Sequence, residues 1–154
     1  MEINIIIGRG YGRQVKADWL TAIAEEVLTT EGASSESEVS IVITGQEQIE
    51  DLNRRYLQAD HATDVLSFPL VSPEDTGFVM PPDGKLRLGE IIISYPQAVI
   101  QAEEHSHSVK KEIAILLIHG ILHLMGHDHD IAARKKKMNT REAFLLQIVE
   151  ENYL

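Results

Sequence analysis

Ile3, Ile5 and Ile7 alternate with polar or neutral positions, the period of two expected of a half-buried strand. Gly8-Arg9-Gly10-Tyr11-Gly12 follows as a turn. Residues 15–30 then change to helical spacing, with Val15, Trp19, Ile23 and Val27 along one face. After Gly32 and a polar loop, Val39, Ile41 and Ile43 predict a second strand, closed by Gly45. A short helix over about 46–56 carries Ile49, Leu52 and Tyr56. Thr63 to Pro69 reads as a third strand, and Leu88 to Ser94 as a fourth. The run Ile91-Ile92-Ile93 is apolar on both faces and therefore central in a sheet. Residues 71–87, between those strands, hold three of the five prolines and form a long loop. Helices are expected at 96–106, 109–125 and 131–150. The middle one is apolar nearly all round and is the buried one. This order predicts an α+β fold, a mixed four-stranded sheet packed with about five helices.

Composition narrows the chemistry. The 154 residues fit one domain spanning 1–154, with no repeat or low-complexity tract. The absence of cysteine removes disulfides, iron–sulfur clusters and thiol nucleophiles, so any zinc must be held by histidine. No apolar run approaches the roughly 18–20 residues that span a bilayer. The start Met1-Glu2-Ile3-Asn4 lacks the basic region of a signal peptide, so a cytoplasmic location without membrane association is expected. The net charge of −10 argues against a general nucleic-acid coat protein. That charge is uneven, however. Glu25, Glu26, Glu31, Glu36 and Glu38 crowd the first third, whereas Arg134-Lys135-Lys136-Lys137, Arg141 and Lys110-Lys111 are basic. The basic run is equally a solvated helix face or a device for steering phosphates.

Four of the seven histidines fall in His119-Gly120-Ile121-Leu122-His123-Leu124-Met125-Gly126-His127-Asp128-His129. Four residues apart on a helix, His119 and His123 lie on one face, one turn apart. Gly126 can end the helix in a left-handed turn, and His129 can then approach the same ion from a third direction. Three neutral imidazoles with one open position make a catalytic zinc arrangement, which nickel or copper also accepts. The plainer reading is two surface or core histidines, but unpaired imidazoles in the most apolar helix are costly. Metzincin proteases share this spacing and need a glutamate directly after the first histidine. Gly120 stands there, so that peptidase chemistry lacks its base. Asp128 is the base nearest in sequence, or a partner that orients a histidine. His127 is expected to face solvent or substrate, and His61, His105 and His107 to be surface residues.

The histidine segment resembles the signature of the YbeY endoribonucleases, the bacterial rRNA maturation factors. Leu52-Asn53-Arg54-Arg55-Tyr56 leading to Thr63-Asp64-Val65-Leu66-Ser67-Phe68-Pro69 is similar to that family's central block. Leu88-Gly89-Glu90-Ile91-Ile92-Ile93-Ser94 is similar to its LGDI-type strand. The resemblance spans about 48–129. It implies a metal-dependent endoribonuclease specific for single strands, acting in 16S rRNA 3′-end maturation and ribosome quality control. It also implies zinc on His119, His123 and His129. The family usually carries arginine directly after the aromatic residue of the central block, where this chain has Leu57. Arg55, with Arg54, is the nearest cation in sequence. Expected partners are single-stranded rRNA and the small ribosomal subunit or a ribosome-associated protein. The alternative is a metal-stabilised ribosome-assembly factor with little nuclease activity, because a missing cation weakens transition-state stabilisation.

Overall fold

The computed structural model describes residues 1–57, 65–69, 86–127 and 130–154, and for 52–57 the backbone alone. Among these residues nine elements follow in order: β1 (Glu2–Ile7), α1 (Ala17–Thr30), β2 (Ser37–Thr44), α2 (Gln46–Leu57), β3 (Val65–Pro69), β4 (Leu86–Ser94), α3 (Tyr95–Glu104), α4 (Val109–Leu124) and α5 (Ala132–Tyr153). The predicted α+β class, the mixed four-stranded sheet and the five helices are all present. Thr63, Asp64, His61 and most of the proline-rich loop lie outside the described residues.

The sheet runs β1-β2-β4-β3. β1 and β4 flank β2 in parallel, with Ile5 opposite Ile41 and Ile41 opposite Ile91. β3 closes the far edge antiparallel to β4, pairing Leu66 with Ile92. Position in the sheet explains the sequence patterns. β4 is interior and buries Ile91, Ile92 and Ile93, whereas β1 is an edge and leaves Ile6 61% exposed.

Alternation along β2 and β4 builds two cores of unequal size. Ile41, Ile43, Ile91 and Ile93 join the main core with Leu20, Ile23 and Val27 of α1, Leu117 and Ile121 of α4, and Leu145 and Val149 of α5. The other face is smaller, with Ile92 and Leu66 meeting Ile49 of α2. α4 packs against β3, β4, α1, α3 and α5, and is the buried helix expected. Burying a Leu or Ile side chain is worth about 1.5–3 kcal/mol, so the all-round apolar character of α4 holds the layers together. Trp19 of α1 is half-buried; its indole N–H donates to the Tyr153 carbonyl at 3.0 Å, and Lys110 Nζ lies 5.9 Å from its ring centroid. The end of α5 is thereby fastened to α1 and the start of α4.

Both boundaries of α4 are set by chain reversals. α3 stops at Glu104, not at 106, because Ser106 adopts φ +56. Ser106 N–H donates to Glu103 O and His107 N–H to Ala102 O, the two bonds of a Schellman motif. Ser108 then caps α4 by accepting from Lys111 N–H at 3.1 Å. At the other end, Gly126 takes φ +96 while its N–H donates to His123 O and His127 N–H donates to Leu122 O. This is a second Schellman motif, with glycine at the left-handed position as the sequence suggested.

Candidate metal centre

His119 and His123 sit in the last two turns of α4 and converge. Their Nε2 atoms are 3.1 Å apart and their rings meet edge to face at a centroid distance of 4.6 Å. Neighbouring ligands around one ion, each at about 2.0–2.1 Å, take a comparable separation. The His119 Nδ1 atom is 2.6 Å from Glu142 Oε1 on α5. That contact turns Nε2 towards His123, the carboxylate–histidine arrangement of metal sites. The His119 side chain is 32% exposed and that of Glu142 26%, so the pair opens to solvent from a buried helix. The donor set fits a zinc-type ion. His129 and Asp128 lie outside the described residues, as does the side chain of Arg55 on α2.

Gly120 explains why the metzincin pattern is incomplete. Its Cα faces the sheet, and a Cβ there would come within 2.8 Å of Ile91 Cγ2. A glutamate at 120 would have to enter the core between α4 and β4, which excludes the missing base on steric grounds.

His127, expected to face solvent or substrate, has a side chain 14% exposed, with its Nε2 3.8 Å from Glu31 Oε2. Arg141 donates to the other oxygen of Glu31, from Nε at 2.9 Å and Nη2 at 2.6 Å. Glu31 thus ties the end of α1 to α5 and to the turn after the histidine pair. Other members of the basic run are also engaged. Arg134 pairs with Asp130 at 2.9 Å, and Lys111 with Glu150 at 2.9 Å. Lys135 and Lys136 remain exposed beside a shallow groove with Asn139 and Thr140.

Of the histidines expected at the surface, His105 is exposed, 55% at its side chain, whereas His107 is 17% exposed. They flank Ser106 and approach the same oxygen of Glu112, Oε2, at 3.3 Å from His105 Nδ1 and 2.5 Å from His107 Nε2. Glu112 is 2% exposed, on the first turn of α4. The three ligand atoms lie within 4.8 Å of one another and can hold a metal ion. The sequence signals were a His-x-His pair just after a helix and a carboxylate at the start of an apolar one. Glu142 had no local signal, being distant in sequence from His119.

Comparison with known proteins places this architecture. The family model described as Endoribonuclease YbeY matches residues 11–150. An Endoribonuclease YbeY of Dehalococcoides mccartyi strain CBDB1 is 46% identical, covering 98% of this chain and 95% of that protein. An Endoribonuclease YbeY of Moorella thermoacetica is 43% identical, covering 82% of each. The solution structure of TM1509 from Thermotoga maritima superposes with a TM-score of 0.65 at 28% identity, covering 97% of this chain and 90% of that one. Relatives named for RNA hydrolysis, on an α+β fold with side chains able to hold a metal, define the class as a hydrolase. Within that class, the chain belongs to the YbeY endoribonuclease family.

Proposed function

We propose that this protein is a metal-dependent endoribonuclease that cleaves single-stranded RNA in 16S rRNA 3′-end maturation and ribosome quality control. The whole of 1–154 acts as one domain, in the cytoplasm and on the small ribosomal subunit or a protein bound to it. The observation that carries this reading is the approach of His119 Nε2 to His123 Nε2 at 3.1 Å, with Glu142 bracing the first ring. His129, following the Gly126 reversal, is the third ligand, and zinc is the ion, with nickel or copper as substitutes. When bound, such an ion supplies Lewis acidity towards a phosphodiester oxygen and an attacking water.

The residues of the chain do the positioning. His119 and His123 hold their donor atoms at the solvent-facing end of a rigid, buried helix. Asp128 is the candidate to accept a proton from the attacking water, and Arg55 the candidate cation for the phosphate. Lys135 and Lys136 add positive potential on α5. Against a net charge of −10, that patch gives weak, salt-sensitive affinity for free RNA. Delivery of the substrate then rests on the ribosome. No helix among the described residues is long and apolar enough to cross a membrane.

Cleavage of a single-stranded RNA oligomer by untagged protein, with and without chelator, tests the reading. Activity lost on chelation and restored by zinc supports it; cleavage indifferent to chelator overturns the metal role. Leu57, in place of the usual arginine, favours a second reading, a metal-stabilised assembly factor with little nuclease activity. Co-sedimentation with small ribosomal subunits without RNA cleavage selects that alternative.

A further inference from the structure

We propose that His105, His107 and Glu112 form a second metal site, independent of His119 and His123, that takes one zinc-like divalent cation and pins the corner between α3 and α4. Three observations converge on it. The ligand atoms come from three successive pieces of backbone: the C-cap of α3, the residue after its left-handed reversal, and the first turn of α4. Ser106 holds φ +56 between the two histidines, a conformation that non-glycine residues adopt only when their surroundings impose it. The reversal brings both rings to one carboxylate.

The third observation is the burial of that carboxylate. Glu112 is 2% exposed, and one of its oxygens, Oε2, receives both imidazoles. A buried carboxylate needs compensation, and both rings are brought to one of its oxygens. A cation lying between the three atoms instead takes an electron pair from each of them and neutralises the charge. Two imidazoles and one carboxylate suit zinc, nickel, copper or cobalt, and not magnesium or calcium, which prefer all-oxygen shells. His105 is 55% exposed and His107 17%, so the ion enters from the His105 side, where water completes the shell. The setting at one corner of the chain makes the ion a tie between α3 and α4.

The test uses the full chain, untagged, stripped with chelator and titrated with zinc or cobalt under calorimetric and absorbance detection. The wild type is expected to bind two ions per chain. The His119→Ala/His123→Ala variant is expected to keep one ion and still to melt at a higher temperature when zinc is added. Adding His105→Asn to that variant is expected to abolish both effects. His105 is exposed enough that its replacement leaves the fold intact, which far-UV circular dichroism verifies. A His119→Ala/His123→Ala protein that binds no ion overturns the proposal, and so does binding unchanged by His105→Asn. Loss of cleavage in that protein with one ion retained separates this site from the catalytic one.

Discussion

The two ends of α4 gather histidines around carboxylates of different burial. At each end a Schellman reversal turns the chain, and histidines gather beside it. At the start, Glu112 is buried, belongs to α4 itself, and is approached by residues of the adjoining corner. At the finish, Glu142 arrives from α5, is 26% exposed, and braces His119 from behind while His123 meets its Nε2 from the front. A carboxylate placed among the ligand atoms fills a site. One placed behind them leaves the front of the pair open. The clusters lie on one helix, with residues 112 and 119 about 10 Å apart along its axis. α4 is thus the spine of the core and carries both clusters.

Substitutions along this helix sharpen the contrast, and the largest effect belongs to the open end. His123→Ala is expected to lower zinc-dependent RNA cleavage by more than the about 10–100-fold that an outer-shell change costs. Single-turnover cleavage rates read it, and an unchanged rate breaks the assignment. Next comes Glu142→Gln, which keeps the shape but weakens the brace on His119. Zinc affinity at the open end should fall about 10–100-fold while the Glu112 cluster is untouched, as competition with a metallochromic chelator would reveal.

Gly120→Ala touches neither cluster but presses into Ile91, at a cost of about 1–3 kcal/mol in urea unfolding. A midpoint equal to that of the parent would show that α4 is free to shift away from β4. The smallest effect compares the two reversals. Gly126→Ala places a side chain at φ +96 and should cost about 1 kcal/mol. Ser106→Gly should be neutral within about 0.5 kcal/mol, because relief of the left-handed strain is offset by glycine's freedom in the unfolded chain. Equal and large losses from both changes would erase the asymmetry between the two ends.

Much of this was written in local sequence. Strand and helix periods gave the order of elements, because β2, β4 and α4 each bury faces whose spacing survives tertiary packing. His119 and His123 were legible for the same reason, since four residues on a helix fix a common face. What stayed hidden depends on contacts between elements. Ser106 reverses the chain without the glycine that would announce it, so the meeting of His105 and His107 at Glu112 had no local sign and α3 read as longer. Glu142 and Glu31 act on residues far away in sequence, and no periodicity links Glu31 to His127 or Arg141. The charge blocks that looked separate along the chain meet in the fold at Glu31, which leaves Arg141 already engaged there.

The lone tryptophan of the chain has a use of its own. Trp19 touches the end of α5 through its indole N–H and the start of α4 through Lys110, so its emission senses whether three helices are seated together. A variant that loses metal without loosening this junction should keep the native fluorescence maximum. One that loosens it should shift towards the red before the sheet melts. The molecule thus carries an intrinsic optical gauge that separates failure of a metal site from failure of its scaffold.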